Sequence, residues 1–400
     1  MTADVAFVFT NPRHHFEMMA PVARELESRG VPTQLVSLAE LRGLDSPDGV
    51  RAAIPWNVRK RPAARTETEQ PSGLVDKARA WKPTELAKRA VWSVLGLRMR
   101  QLVGGARVVV VPNDAVFPYI ELLGQVRGRG ARAVLMQEGI RFPLPDDYEG
   151  MPYGSGNVNA VCAWGDGSKE YFVGKKVPPS RIVVTGAPRL DELDPAAWRE
   201  AGAKLLADKQ LAQRPIAFLS NPIEIQGYGE KAVKLEIWKR FLREAAPVVG
   251  PRRIPILVKN HLHEDPADFA RIAADSPIGD LVSIAGNAPI FAVLAAARAA
   301  IVLTSTVGLE ALAFGLPLAA LEIPGYGFPF EYVARGAAVA LGPGTTTAGI
   351  EALLADDPAR AEAGRALVAR HLFDRGRSRC HVADVIQRVL QHRLGSKPNE

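Results

Sequence analysis

Three small hydroxyl residues and one carboxylate follow an apolar run near residue 300. The run AAIVL passes directly into Thr304, Ser305 and Thr306, and the segment VGLEALAFG that comes next is apolar except for Glu310. This order predicts a buried strand, a short turn and a helix. A helix that starts beyond the carboxyl end of a parallel strand offers its first N–H groups and its positive dipole end to an anion. The stretch therefore predicts an anion site.

Each polar residue of this stretch has an expected role in that site. Ser305 and Thr306 are expected to cap the helix and to donate hydrogen bonds to a phosphate. Gly308 is expected to let the backbone approach this phosphate closely, because glycine has no side chain. Glu310 is expected to accept the hydroxyl protons of a ribose through charge-assisted hydrogen bonds. The structural alternative is that the hydroxyls only cap the helix and that Glu310 is an ordinary first-turn acid.

A second polar group ends the predicted strand IPILVKNH. Lys259, His261 and His263 alternate, so they share one face if the strand continues. A cation and two imidazoles there suit a diphosphate. The competing interpretation is a metal site formed by His261, His263 and Glu264.

Strand and helix patterns alternate along most of the chain and restart near Pro215. Several strand segments, such as ARVVVVP, have no polar alternation, which is typical of a parallel sheet covered on both faces. The predicted organisation is two α/β halves and a C-terminal helix that packs back onto the first half. The boundaries are 1–187 with a basic insert at about 42–103, a linker at 188–214, a second half at 215–375, and a helix and tail at 376–400.

Composition limits the function classes. The chain has 400 residues, 47% of them hydrophobic and 23% charged, and no apolar run approaches the roughly 18–20 residues that span a bilayer. Its first residues are typical of a first strand and not of a signal peptide. Two isolated cysteines, Cys162 and Cys380, fit a reducing cytoplasm. The net charge of +7 fits an anionic partner, but the chain has no zinc-finger spacing, RRM-like motif or helix-turn-helix signal, so nucleic acid is not expected.

Four segments in order resemble the GT-B superfamily of nucleotide-sugar enzymes. They are QEGIRFP, the stretch from VCAWGDG to TGAPRLDEL, VKNHLHE, and TSTVGLEALAFGLPL, which together span roughly residues 134–318. The most similar sections of the superfamily are the bacterial capsule and surface-polysaccharide transferases, the CDP-glycerol glycerophosphotransferases and the non-hydrolysing UDP-N-acetylglucosamine 2-epimerases. The resemblance implies an α/β fold of two Rossmann-like domains that face each other across a cleft.

The resemblance also implies a function and a set of donor-binding residues. By position, Ser305, Thr306 and Glu310 bind the phosphate and ribose of the donor, and His261 contacts the diphosphate. Two departures stand out: Leu262 replaces the proline of the family, and the His-Gly-Thr motif of the glycerophosphotransferases is absent. The expected function is a metal-independent glycosyltransferase without a cofactor, which moves a sugar from a nucleotide-sugar donor to a glycan, lipid-linked or small-molecule acceptor. The alternatives are a UDP-sugar 2-epimerase and a non-catalytic nucleotide-sugar binding protein.

An inverting transfer needs one general base beside the acceptor hydroxyl. Glu138 follows a predicted strand of the first half, so it is the preferred base. The alternatives are Asp114 and the two histidines of the loop NPRHHFE, His14 and His15, because that loop follows the first strand. A further alternative is that one histidine only caps the following helix.

The basic insert has its own expected partner. Residues 74–102 carry seven Lys or Arg against two acidic residues, with Trp81 and Trp92 among Leu and Val. A basic amphipathic stretch with tryptophans is typical of a membrane interface, so peripheral contact with the inner membrane face is expected for a cytoplasmic protein. An anionic acceptor, or a helical pair whose tryptophans fill local core, remains open.

Overall fold

Two separate parallel sheets organise the chain. The computed structural model describes residues 3–42, 44–54, 85–140, 153–261 and 264–391. These residues belong to two compact units: unit 1 lies within 1–138, 150–191 and 372–400, and unit 2 lies within 139–149 and 192–371. Each unit is a Rossmann-like α/β domain, as the alternating pattern predicts.

The sheet of unit 1 has seven strands, and every neighbouring pair is parallel. They are β1 (Val5–Phe9), β2 (Thr33–Ser37), β3 (Arg51–Ala52), β4 (Val108–Val111), β5 (Arg132–Met136), β6 (Ala160–Ala163) and β7 (Ile182–Val184). The spatial order is β3-β2-β1-β4-β5-β6-β7, so the chain order reverses between β1 and β4. In open α/β sheets, ligands bind beyond the strand ends at such a reversal.

The sheet of unit 2 has six strands, again all parallel. They are β8 (Ile216–Leu219), β9 (Ile256–Lys259), β10 (Val282–Ile284), β11 (Ala299–Val302), β12 (Leu318–Leu321) and β13 (Ala338–Leu341). The order β10-β9-β8-β11-β12-β13 reverses between β8 and β11. The hydroxyl residues that follow β11 therefore lie at the reversal of this sheet.

Helices connect the strands. The described residues form α1 (His14–Ser28), α2 (Glu85–Val103), α3 (Tyr119–Gly128), α4 (Asp166–Gly174), α5 (Arg199–Asp208), α6 (Lys231–Val249), α7 (Pro266–Ala274), α8 (Ile290–Ala296), α9 (Val307–Ala313), α10 (Thr346–Leu354), α11 (Pro358–His371) and α12 (Ser378–Leu390). Short 3₁₀ turns span Ala39–Arg42, Pro179–Arg181, Pro188–Leu190 and Gly279–Leu281. Among these helices, none combines the length and apolar character needed to cross a bilayer.

The first strand contributes to two cores. Val5, Phe7 and Phe9 pack on one face of the sheet with α1 and α12, while Ala6 and Val8 pack on the other face with α2 and α3. Successive side chains of a strand point to opposite faces. A strand buried on both faces must therefore be apolar at every position, which explains why VAFVF and VVVV show no polar alternation.

The last helix, α12, belongs to unit 1. Val382, Val385, Ile386 and Val389 are fully buried in the core that also contains residues of β1 and β4. On the helix surface, Arg29 of α1 contacts Asp384, with 2.5 Å between Nη1 and Oδ1. The predicted packing of a C-terminal helix onto the first half is confirmed.

A single carboxylate organises the start of α12. The chain leaves unit 1 after Asp191, and the returning chain enters unit 1 at Leu372. Asp191 Oδ1 accepts the backbone N–H groups of Gly376 at 3.1 Å and Ser378 at 2.9 Å, and Oδ2 accepts that of Arg379 at 2.8 Å. These bonds satisfy donors that a helix start leaves unpaired. They also give a structural role to the aspartate within the segment GAPRLDEL.

Candidate functional site

The predicted site residues lie at the carboxyl ends of strands that flank the two reversals or are next to those that do. In unit 1, His14 and His15 follow β1, Asp114 follows β4, and Glu138 follows β5. In unit 2, Lys259 ends β9 and Ser305 follows β11. Each unit therefore holds its candidates at the sheet edge where ligands bind in this class of fold.

The loop after β1 is shaped by Asn11. Its Oδ1 accepts the N–H groups of Arg13 and His14, both at 3.0 Å. An asparagine that accepts these N–H groups starts the helix, so that α1 begins at His14. The two histidines therefore stand in the first turn of α1, at the carboxyl edge of the sheet.

Glu138 lies between two donors. His15 Nε2 donates to Glu138 Oε2 at 2.9 Å, and Asn113 Nδ2 donates to Glu138 Oε1 at 3.0 Å. His15 Nδ1 accepts the N–H of Asn11 at 3.2 Å, which assigns the ring proton to Nε2. The side chain of Glu138 is 26% exposed and that of His15 only 6%. The carboxylate can therefore reach a substrate while the imidazole orients it.

The backbone on both sides of Glu138 is also fixed. The side chain of Gln137 is buried, donates to Ser168 Oγ at 2.8 Å and accepts the N–H of Trp164 at 2.9 Å. The N–H of Glu138 donates to the hydroxyl of Tyr153 at 3.2 Å, and this hydroxyl donates to the carbonyl of Pro112 at 2.8 Å. These bonds tie the ends of β4, β5 and β6 together and hold the backbone that carries the carboxylate.

His14 has a different environment from His15. Its Nε2 donates to the backbone carbonyl of Glu138. Burial, together with the nearby charge of Arg189, lowers the pKa of His14 to about 3. The imidazole is therefore neutral at physiological pH, and its low pKa makes it a weak base.

Asp114 does not share the position of Glu138. It is fully buried, and its oxygens accept the N–H groups of Gly154 at 2.8 Å and Gly156 at 2.7 Å. Its neighbour Asn113 turns toward Glu138 instead. The geometry gives Asp114 the role of anchoring the loop that contains Gly154 and Gly156, and it leaves Glu138 as the partly exposed carboxylate of this cluster.

In unit 2, a buried amide network joins the ends of β8 and β11. Asn221 Nδ2 donates to Thr304 Oγ1 at 2.9 Å and to Gln226 Oε1 at 2.8 Å, while Thr304 N donates to Asn221 Oδ1 at 3.2 Å. Thr304 Oγ1 donates to Gln226 Oε1 at 2.6 Å. Thr304, the first hydroxyl of the run, is thus structural. Ser305 and Thr306 are half-buried and follow it at the sheet edge.

The start of α9 is held by Ser305 and Tyr332. Ser305 Oγ accepts the N–H of Val307 at 3.2 Å, and the Ser305 carbonyl accepts the hydroxyl of Tyr332 at 2.7 Å. A Cβ on Gly308 would lie 2.7 Å from Cζ of Tyr332. The glycine is therefore required for packing against the tyrosine ring, a reason that the sequence analysis did not identify.

Glu310 is completely buried in the first turn of α9. Burial raises the pKa of the Tyr332 hydroxyl well above its ordinary value, and the nearby charge of Glu310 acts in the same direction. The hydroxyl therefore remains a donor to Ser305. The contact of Glu310 with a ribose stays a prediction.

Lys259 and His261 lie at the end of β9. Lys259 Nζ donates to the carbonyl of Gly286 at 2.8 Å, and the exposed His261 donates its backbone N–H to Glu264 Oε2 at 2.8 Å. Glu264 is engaged further, because Lys234 Nζ lies 2.6 Å from its Oε1. The third residue of the predicted group, His263, lies outside the described residues. Among those that are described, no three His, Cys, Asp or Glu form a group that could hold a metal ion.

Several residues of these sites were missed by the sequence analysis. Asn113, Tyr153 and Gln226 are polar residues next to or within loops, but nothing in a single sequence identifies their partners, which lie 25, 15 and 78 positions away. The sequence does contain a signal for Asn113, because this residue directly follows Pro112 at the end of a predicted strand. The choice between Asn113 and Asp114 depends on which of two adjacent side chains turns toward β5.

Comparison with known proteins identifies the fold. No family model matches the chain, and no curated protein matches it either. Solved structures do match over nearly the whole length. A UDP-GlcNAc 2-epimerase from Neisseria meningitidis bound to UDP-GlcNAc has a TM-score of 0.62 at 13% identity, covering 97% of this chain and 100% of that one.

Transferases are similar to the chain as well. The wall teichoic acid polymerase TagF has a TM-score of 0.59 at 12% identity, with 98% of this chain and 90% of that chain covered. A glycosyltransferase from Rickettsia africae has a TM-score of 0.55 at 12% identity, with 99% and 100% covered. Together with the two Rossmann-like sheets, these likenesses confirm the GT-B type of fold that the four sequence segments predict.

Proposed function

We propose that this chain with a GT-B fold is a glycosyltransferase that uses a nucleotide-sugar donor. Similar structures contain UDP or UDP-GlcNAc, which supports a nucleotide-sugar partner. The observation that carries the proposal is the Glu138 cluster, in which a partly exposed carboxylate is oriented by His15 and Asn113 at the reversal of the first sheet. One oriented base is what transfer to a hydroxyl requires.

Glu138 acts as the general base in this proposal. The carboxylate takes the proton of the acceptor hydroxyl while the hydroxyl oxygen attacks the anomeric carbon of the donor sugar. The bond from this carbon to the diphosphate oxygen breaks, and the nucleoside diphosphate leaves. His15 and Asn113 fix the direction of the carboxylate, and neutral His14 fixes the backbone of Glu138 through its carbonyl.

The donor binds to unit 2 in this proposal. Ser305 and Thr306 donate to the phosphates, and Lys259 and His261 offset their charge from the end of β9. Glu310 accepts hydrogen bonds from the hydroxyl groups of the ribose. Basic side chains and N–H groups then stabilise the leaving diphosphate, so the proposed transferase works without a metal ion or another cofactor.

A UDP-sugar 2-epimerase is the second candidate. The comparison with the Neisseria enzyme favours it, since the likeness covers both chains almost completely. Epimerisation at C2 must remove a proton and return it to the opposite face, and it must also eliminate and re-add the diphosphate, so it needs several acid and base groups. Glu138 supplies one, whereas Asp114 is buried against backbone N–H groups. We therefore rank transfer first.

Incubation with UDP-GlcNAc and other nucleotide-sugars distinguishes these candidates. A transferase releases nucleoside diphosphate at a rate that increases when a mixture of glycan and lipid-linked acceptors is added. An epimerase converts the donor to its C2 epimer without any acceptor, which NMR detects directly. Conversion without an acceptor refutes the transferase, and binding without either reaction indicates a non-catalytic nucleotide-sugar binding protein.

The exposed surface of helix α2 supports a further part of the proposal, which is peripheral contact with the inner membrane face from the cytoplasm. Helix α2 exposes Val91, Val94 and Leu97, with exposed fractions of 44%, 73% and 62%. Trp92 instead packs against the core of unit 1, and its ring lies 3.2 Å from the Cβ position of Gly96. Insertion would thus use the aliphatic side chains of α2. Trp81, also predicted to take part, lies outside the described residues.

A further inference from the structure

Three arginines line a cavity at the opposite edge of the unit 1 sheet. Its volume is about 310 Å³, and it is bordered by Arg107 before β4, by Arg129 and Arg132 before and within β5, and by Val389 and Leu390 at the end of α12. The candidate catalytic residues follow β1, β4 and β5, whereas this cavity lies where β4 and β5 begin. It is therefore separate from the Glu138 cluster.

Two of the arginines donate to the last carbonyls of α12. Arg107 Nη2 donates to the carbonyl of Leu390 at 3.1 Å, and Arg132 Nη1 donates to that of Val389 at 2.5 Å. Cations at a helix C-terminus stabilise the last carbonyls and the negative end of the dipole. Asp4 Oδ1 lies 3.9 Å from Arg107 Nη1. Helix capping therefore accounts for Arg107 and Arg132.

Arg129 is not explained by capping. Its Nη2 donates to the carbonyl of Ala106 at 3.2 Å, but its Nε is buried and has no acceptor among the described residues. No carboxylate occurs among the described residues that line the cavity. Burial lowers the pKa of Arg129, which is the expected effect on a cation that loses water without gaining a counter-ion. The guanidinium stays charged.

The cavity thus brings three guanidinium groups together, and an anion in it would be attracted to them. Guanidinium groups present parallel N–H donors that match phosphate oxygens. We propose that this cavity, which we call the arginine cavity, binds a phosphate or diphosphate group through Arg129 together with Arg107 and Arg132. The group belongs either to a free phosphate compound or to the headgroup of an anionic lipid.

Calorimetric titration with pyrophosphate tests the proposal. UDP is present in excess, so that a nucleotide site elsewhere does not contribute. Wild type is compared with Arg129→Gln and with Arg127→Gln, a matched control whose Nη1 donates to the carbonyl of Gly156 and which does not line the cavity. Loss of charge-assisted bonds should weaken binding about 10–100-fold for Arg129→Gln and leave it unchanged for Arg127→Gln. Equal binding by wild type and Arg129→Gln, or no binding by wild type, overturns the proposal.

A measurement on wild type avoids dependence on a variant that fails to fold. Pyrophosphate should increase amide protection against hydrogen exchange at 104–107 and 129–132, and an unchanged pattern there overturns the proposal. Sedimentation with phosphatidylcholine vesicles, with and without phosphatidic acid, distinguishes the two sources. Sedimentation that needs both phosphatidic acid and Arg129 identifies a lipid headgroup. Pyrophosphate binding that needs Arg129 but no such sedimentation identifies a free phosphate compound.

Discussion

Replacing Glu138 by glutamine separates its chemical role from its structural role. In the native cluster both oxygens of Glu138 accept a hydrogen bond, from His15 at 2.9 Å and from Asn113 at 3.0 Å. A glutamine side chain has one oxygen that accepts and one NH₂ group that only donates. Either His15 or Asn113 would therefore point its N–H at the glutamine NH₂ and lose its acceptor. His15 cannot change tautomer without losing the N–H of Asn11, and Asn113 cannot flip because its Oδ1 accepts the N–H of Ala115 at 2.9 Å.

The structure therefore gives two magnitudes for Glu138→Gln. One unsatisfied donor in a partly buried cluster costs about 1–3 kcal/mol of unfolding free energy. Loss of the general base should lower turnover by about 10²–10⁴, with donor affinity unchanged. Urea unfolding measures the first quantity, and release of nucleoside diphosphate under single-turnover conditions measures the second.

A second substitution repairs the hydrogen bonds without restoring a carboxylate at position 138. In Glu138→Gln with Asn113→Asp, the new carboxylate accepts from the glutamine NH₂ and from Ala115, while the glutamine oxygen accepts from His15. Stability should recover by most of the lost amount, and turnover should stay low. Recovery of turnover together with stability would contradict the assignment of the general base to Glu138. Glu362→Gln, which removes an exposed carboxylate of α11, controls for the loss of charge.

Three further predictions concern the donor site, the first turn of α1 and the surface of α2. Glu310→Gln should weaken UDP binding by about 1.5–3 kcal/mol, the value of a lost hydrogen bond to a charged group; calorimetry that finds unchanged affinity returns Glu310 to a structural role. The pKa of His14 is lowered to about 3, below the unfolded value of about 6.5, so the unfolded state binds the proton first and stability should fall as pH decreases from 6.5 toward 3. Urea unfolding at several pH values should show a smaller loss for His14→Gln, and an equal loss contradicts this assignment. Wild type should sediment with anionic liposomes at low salt and be released as salt rises, because charges are screened beyond about 10 Å at 0.1 M; Val94→Asp with Leu97→Asp should reduce sedimentation, and a wild type that stays in the supernatant at low salt excludes membrane contact.

The sequence was most informative where one physical rule determines the outcome. Unbroken apolar runs such as VVVV predict strands buried on both faces, and the chain has two sheets of that type. The reversal in each sheet then determines which loops can bind a ligand. This explains why segments far apart in sequence, such as those of His14 and Glu138, could be assigned to one site before their contact was known.

The sequence did not predict which of two neighbouring residues contacts a given partner. Asn113 and Asp114 both follow β4, but only the fold decides that Asn113 meets Glu138 and that Asp114 meets two backbone N–H groups. Gly308 was assigned to ligand approach, and its observed neighbour is the ring of Tyr332, 24 positions later along the chain. Such contacts depend on tertiary packing, which hydrophobic period and turn chemistry do not encode.

The position of α12 has a consequence for biosynthesis. The N-terminal part of a chain leaves the ribosome first, and N-terminal domains generally fold before C-terminal ones. Here one face of the first sheet is completed by Val382, Val385 and Ile386, which emerge only after all of unit 2 has been made. The main segment of unit 2, 192–371, is continuous and contains the six strands of the second sheet. The part of this face that α12 covers in the folded protein therefore stays exposed while unit 2 is being made.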